Sequence, residues 1–276
     1  MLLTLAIYAP AFPQAAGTIP FVTTWETTTN NESIKIPTTG TGYHYDIDWG
    51  DGTIVTQSYV FGVSHTYSTP GIYTVSITGT FPRIYFYQTD TRNFRSVEQW
   101  GNTAWTSMEG AFWGCKNLTF NATDVPDLSS VTSMKRMFQS ASSFNLDLTD
   151  WDVSNVTDMS EMFSGASAFN GDISNWDVSN VSNMNRMFYD AKVFNGDVSE
   201  WDVSKVTDMG EMFTFASAFN ADISTWDVSK VTNMKMMFNF ATSFNANISN
   251  WNVGSVTDMS GMFRYATAFD ADIGDW

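Results

Sequence analysis

The sequence predicts two parts: a β-sandwich, then an α/β solenoid. Three observations carry this. Residues 18–85 alternate apolar and polar side chains between turn signals, with no helical period. Tryptophan then recurs at 151, 176, 201, 226, 251 and 276, always 25 apart. A repeat of about 20–50 residues marks a solenoid. Within each unit the apolar spacing changes partway, from a strand-like to a helix-like step.

Residues 1–17, MLLTLAIYAPAFPQAAG, come first. The apolar run has the length of a signal-peptide core, and Gln14-Ala15-Ala16 supplies small residues for cleavage. Lys35 is the first positive charge, so the basic flank of such a signal is missing. The segment reads as an export-signal remnant or as an ordinary buried stretch. No stretch reaches the ~20 apolar residues of a membrane span.

In residues 18–85, GYHYDIDWGDGTIV is a strand running into the hairpin signal Gly50-Asp51-Gly52. GIYTVSITGTF is a period-two strand, with Ile72, Thr74 and Ser76 on one side and Tyr73, Val75 and Ile77 on the other. Asp46, Asp48 and Asp51 lack EF-hand spacing, so turn capping is the reading and calcium the alternative. His44 and His65 read as hydrogen-bonded structural residues. DWGDGT at 48–53, followed by SHTYSTPGIYTV at 64–75, resembles the polycystic-kidney-disease (PKD) domain. That resemblance implies an immunoglobulin-like extracellular spacer with no catalytic role.

Residues 86–99 form an aromatic junction, expected to dock rather than swing free. Residues 100–276 hold about seven units of 25–26 residues. Ile173-x-x-Trp176-x-Val178 has the form of a leucine-rich-repeat strand. From Val181 the apolar residues Met184, Met187, Phe188, Ala191 and Phe194 follow with helical steps. Asp158 with Glu161, and Asp208 with Glu211, fit a helix capping box. Asn145, Asn170, Asn195, Asn220 and Asn245 read as a buried column able to bond backbone groups of neighbouring coils. One unit cannot bury a Trp, two Met and two Phe by itself, so stacking must complete the core.

These units resemble the bacterial surface-protein repeat of about 25 residues found in BspA-type surface proteins and mycoplasma-type lipoproteins, a relative of leucine-rich repeats. EGAFWGCKNL at 109–118 carries the phrase most closely, and puts Cys115 in a small apolar core slot later held by Ala141, Ala166 and Ala191. Pro126 replaces the Trp of the second unit. The resemblance implies a secreted or cell-surface protein of adhesive type.

Thirteen Lys+Arg against 29 Asp+Glu give a net charge of -16. Phosphate binding needs clustered cations, so nucleic acid and acidic membrane surfaces are disfavoured. A single cysteine and two histidines rule out a Cys/His zinc set. No nucleophile–base pair or phosphate loop is visible, so no enzyme and no cofactor is expected.

Two outward columns are the candidate partner-binding residues. Phe215, Phe240 and Tyr265 share a slot held earlier by Ser140, Gly165 and Asp190. They form a patch for a partner, or extra packing. Asp177, Asp202 and Asp227 cap turns, or hold cations such as calcium, or pair as a glycosidase would. Arg136, Glu161, Arg186 and Glu211 alternate in sign as an inter-unit ladder. The expected function is extracellular adhesion, with a protein or glycan as partner. The alternative is a structural stalk or surface-layer element that self-associates through the apolar end at Trp276, which more repeats or another molecule would cover.

Overall fold

The computed structural model describes residues 18–57, 62–86 and 91–276. The expected signal segment 1–17 lies outside them. The described residues form eight strands: β1 (Phe21–Thr27), β2 (Glu32–Ile36), β3 (His44–Asp48), β4 (Ile54–Gln57), β5 (Val63–Tyr67), β6 (Gly71–Thr80), β7 (Phe94–Gln99) and β8 (Thr119–Phe120). One mixed sheet has the order β4-β3-β6-β1-β7-β8, and β2 pairs with β5 in a second, small sheet.

Period two decides which side chains enter the core. In β1, Phe21, Thr23, Trp25 and Thr27 point inward and are buried. In β6, Val75 and Ile77 are buried while Ile72 is 70% exposed. The turn Asp48–Thr53 is held by its own side chains. Asp48 Oδ1 accepts from Gly50 N (2.9 Å) and Asp51 Oδ1 from Thr53 N (3.0 Å). Asp51 also meets His65 Nε2 at 2.7 Å, and His65 stacks on Trp49. Gly50 has φ 77°, and a Cβ there would lie 2.4 Å from Thr74 O, so only glycine fits.

The sheet continues into the repeats. β7 pairs antiparallel with β1 and parallel with β8, which lies in the first repeat unit. Trp100 joins the two cores, with its ring 5.8 Å from Phe21, 6.0 Å from Phe112 and 5.5 Å from Trp151. In the second unit Lys135 O accepts from Gly110 N of the unit before it. The equivalent Glu109 O has no earlier unit, and Arg83 donates to it instead (3.2 Å). The segment around Arg83 thus closes the first end of the array.

The expected fold class is corrected here. The described residues contain no helix and are all-β, so the α/β leucine-rich-repeat-like solenoid after a β-sandwich is not what forms. The hydrogen bonds give the reason. Met159, Glu161, Phe163 and Gly165 donate their N–H groups to Asn183, Asn185, Met187 and Tyr189 of the next coil at 2.7–3.0 Å. Between them, Met162, Ser164 and Ala166 donate back three residues, at 3.0–3.2 Å. Glu161 and Gly165 have φ of 59° and 71°. A helix needs negative φ throughout and i→i−4 bonds. Overlapping three-residue turns reproduce its apolar spacing without either.

The leucine-rich-repeat strand is absent too. Residues 173–181 make tight turns, with Trp176 N bonded to Ile173 O and Val181 N to Val178 O. Coils pair in parallel at single bridges, Ala104 with Asp127 and then in a row through Ser133, Asp158, Asn183, Asp208, Asn233 and Asp258. The capping boxes dissolve accordingly. Asp158 and Asp208 accept from Ser160 N and Gly210 N, two residues on. Glu161 and Glu211 instead reach Arg136 and Arg186 of the preceding coil, each at 2.7 Å.

The core is a set of aromatic files. Trp176, Trp201, Trp226, Trp251 and Trp276 stack at 6.2–6.4 Å, within 6° of parallel. Each indole N–H bonds a carbonyl 28 residues earlier, as Trp226 does to Val198 O at 3.0 Å. Trp151 leaves the file and packs on Trp100 and Phe120. Phe163, Phe188, Phe213, Phe238 and Phe263 form a second file at 5.5–5.8 Å. Burying one Trp removes ~150 Å² or more from water. At ~25 cal/mol per Å² that is about 4 kcal/mol before entropy. Cys115 is fully buried among these residues, and burial pushes its thiol up. The Asn column does bond the next coil, Asn195 N to Asn170 Oδ1 at 2.8 Å for example, but on the exposed surface.

Candidate binding surface

Each coil carries two residues with left-handed backbone, four positions apart. The first column is Gly110, Arg136, Glu161, Arg186, Glu211, Met236 and Gly261. The second is Gly114, Ser140, Gly165, Asp190, Phe215, Phe240 and Tyr265. From Gly110 to Met236 in the first column, and from Gly114 to Phe240 in the second, each N–H goes to a carbonyl of the next coil. Phe215 and Phe240 are half-buried, and Tyr265 is 51% exposed.

The second column changes character along its length. After Ser140, Gly165 and Asp190, the rings of Phe215 and Phe240 stack at 4.8 Å, and those of Phe240 and Tyr265 at 4.4 Å. Tyr189 extends the row edge-on to Phe215 at 5.6 Å. The sequence slot does not contain Tyr189, which stands one position earlier, so period alone could not find it. Arg186 lies over Tyr189 (5.6 Å) and Arg264 over Tyr265 (4.9 Å). Arg186 is also paired with Glu211. Among the described residues Arg264 forms no ion pair, and it donates to Tyr265 Oη (3.2 Å).

The first column changes in parallel. Arg136–Glu161 and Arg186–Glu211 are closed pairs. The next two coils hold Met236 and Gly261, where a Cβ on Gly261 would touch Met236 (3.4 Å). Charged pairs therefore give way to an apolar stripe of Phe215, Met236, Phe240 and Tyr265.

Asp177, Asp202 and Asp227 stand apart from this stripe. They are exposed, and each Oδ1 accepts from the N–H of Ser179, Ser204 or Ser229 at 3.0 Å. These serine hydrogen bonds hold the carboxyls of Asp202 and Asp227 below their usual range. Asp172, Asp197 and Asp222 repeat the motif with Ser174, Ser199 and Ser224. The columns are turn caps, as Asp-x-Ser spacing favours. Shallow depressions between coils, such as one lined by Trp176, Asp177, Asp197, Glu200 and Asp202, are open. Among the described residues no group of three or more Asp, Glu, His or Cys is placed to hold a metal ion.

The column between the bridges alternates Asp158, Asn183, Asp208, Asn233 and Asp258. Asn233 Nδ2 donates to Asp208 Oδ1 at 2.8 Å. Placing an amide between successive acids keeps like charges two coils apart. No helix among the described residues is long and apolar enough to cross a membrane.

No curated protein and no solved structure matches the chain. The family described as "Mycoplasma protein of unknown function, DUF285" matches residues 106–215 and 191–276. Together the two stretches cover more than half of the chain, and they fall on the repeats that resemble the mycoplasma-type units. The chain belongs to the DUF285 family.

Proposed function

We propose that this is a secreted or cell-surface adhesion protein, whose repeat array displays a binding surface to an extracellular protein or glycan. The observation that carries the reading is the row of Phe215, Phe240 and Tyr265. These are bulky residues set side by side on the surface, each at a left-handed position that glycine would occupy more easily. Aromatic side chains are frequent interface anchors. The segment 18–85, which resembles a PKD domain, serves as the spacer and closes the first coil. The array has no part in catalysis.

The test is retention of the full chain on arrays of matrix proteins and surface glycans. Phe215→Ala with Phe240→Ala weakens retention at least tenfold if the row is the anchor. Retention unchanged by the double substitution refutes the reading. A self-associating stalk gives concentration-dependent oligomers in light scattering, and the binding reading expects none.

A further inference from the structure

We propose a second site, independent of the aromatic row: a pocket where the sheet runs into the repeats, which takes a neutral sugar ring. The tryptophan file breaks here, because Pro126 stands where later coils have Trp. Trp151 therefore has no indole before it and packs on Trp100 and Phe120. Beside these rings lies a pocket of about 230 Å³, whose walls include Thr123, Asp124, Asp147 and Asp150. That volume admits one hexose.

The break parts a donor from its acceptor. From Trp176 onward each indole N–H donates to the carbonyl 28 residues earlier, as Trp176 does to Leu148 O at 2.9 Å. For Trp151 the corresponding carbonyl is Thr123 O, and that bond is not made. Among the described residues Trp151 Nε1 has no acceptor and Thr123 O has no donor. Trp151 lines the pocket and is only 7% exposed, so its N–H is a nearly buried donor left unmatched at the wall. A ligand oxygen placed there restores the missing bond.

The acids supply acceptors. Asp124 is spent, since its two oxygens accept from Trp100 N (3.0 Å) and Gly101 N (2.8 Å). Asp147 accepts from Asp172 N through Oδ1 alone (2.9 Å). Asp150 is exposed and has no partner among the described residues. No Lys or Arg lines the pocket. An ammonium only donates and leaves the indole unmatched, while a carboxylate or phosphate only accepts and meets three acids. Neighbouring hydroxyls do both. One takes the indole N–H, and others donate to Asp147, Asp150 and Thr123 O. Val125, 49% exposed, and the half-buried Leu146 give the ring's C–H groups an apolar wall.

The experiment is titration of the full chain with glucose, galactose, mannose and N-acetylglucosamine. It follows the Trp151 indole N–H signal by proton–nitrogen NMR, identified by its loss in Trp151→Phe. Glucuronate and ethylammonium are the charged comparisons. At least one neutral sugar should shift the signal saturably, with a midpoint on the order of 1 mM for so small a ligand, and both charged probes should bind more weakly. Affinity read from saturation transfer to the sugar should fall about tenfold in Asp150→Ala and in Trp151→Phe. Asp150→Ala alters an exposed residue without a partner and keeps the fold, checked by its unfolding midpoint. Phe240→Asn should leave sugar binding unchanged. The proposal is overturned if no neutral sugar shifts the signal, if ethylammonium binds in preference, or if sugar binding ignores both Asp150→Ala and Trp151→Phe. Sugar binding lost in Phe240→Asn also overturns it, and moves the sugar to the aromatic row. The adhesive reading, tested at Phe215 and Phe240, survives every one of these results.

Discussion

Ser140 offers a test of the array's architecture that depends on a sign. It is exposed, with φ 58° and its N–H bonded to Ser164 O at 2.7 Å. Replacing it by Gly or by Ala removes only atoms at the surface. In the left-handed region a residue with a Cβ costs about 1–2 kcal/mol. Glycine escapes that cost but loses about 0.5–1 kcal/mol through its greater freedom when unfolded. Ser140→Gly should therefore be more stable than Ser140→Ala by about 0.5–1 kcal/mol. In a helix the order reverses, since Ala exceeds Gly by about 1 kcal/mol. The two architectures thus differ by nearly 2 kcal/mol on one pair of variants, with opposite sign. The assay is guanidinium unfolding of the full chain followed by tryptophan fluorescence, compared at equal slope. If Ser140→Ala unfolds at the same or a higher denaturant concentration than Ser140→Gly, the turn ladder is refuted.

Trp226→Ala should cost about 4 kcal/mol, because it opens a cavity in a file stacked on both sides and removes the indole hydrogen bond to Val198 O, which keeps only Trp201 N. Trp226→Phe, which keeps most of the packing, should cost nearer 1 kcal/mol for the lost hydrogen bond, and unfolding midpoints distinguish the two. Gly50→Ala should destabilise by at least about 2 kcal/mol, from its left-handed φ and the 2.4 Å approach to Thr74 O. Near-ultraviolet circular dichroism during heating reads this loss through Trp49. Glu32 accepts from Asn93 Nδ2, Thr28 N and Thr29 N, which lowers its carboxyl from 4.5 to about 2. Its contribution is therefore present above pH 4.5 and lost as pH falls through about 2. Carboxyl NMR titration should show a midpoint near 2, and Asn93→Ala should raise it; an unchanged midpoint in the variant contradicts the assignment.

The 25-residue period and the core residues were legible, because an apolar side chain must be buried whatever backbone carries it. Val153, Met159, Met162, Phe163 and Phe169 are all inside, as their pattern requires. The backbone itself was not legible. Steps of three and four between apolar residues suit a helix, but they also suit overlapping turns that each bond back three residues. The distinguishing signal was Gly110, Gly114, Gly165 and Gly261 in two slots four apart, inside what the period assigned to helix. Glycine there disfavours a helix and favours positive φ. At the candidate site the sequence left Asp177, Asp202 and Asp227 open between turn caps and cation or partner binding, and each accepts from the serine N–H two residues on, within its own turn. Tyr189 was hidden because its contact with Phe215 runs diagonally between coils, from a different slot.

The aromatic row also poses a question of folding energy. Three large residues at left-handed φ cost about 1–2 kcal/mol each against glycine. The ring pairs Phe215–Phe240 and Phe240–Tyr265 return about 0.5–1.5 kcal/mol apiece. Two such pairs return about 1–3 kcal/mol against about 3–6 kcal/mol of strain, so the row brings no net gain to the fold. The coils before them manage with Ser140, Gly165 and Asp190 in the same slot and an equally buried core. The fold therefore does not require the row, while every Trp, Met and Phe of the interior is required by it. Each coil thus separates residues that hold the stack together from two surface slots, at the left-handed positions, whose occupants the stack leaves open. A binding surface can be written into those slots without disturbing the core, and the stretch from Phe215 to Tyr265 is where this chain departs furthest from what stability alone would place there.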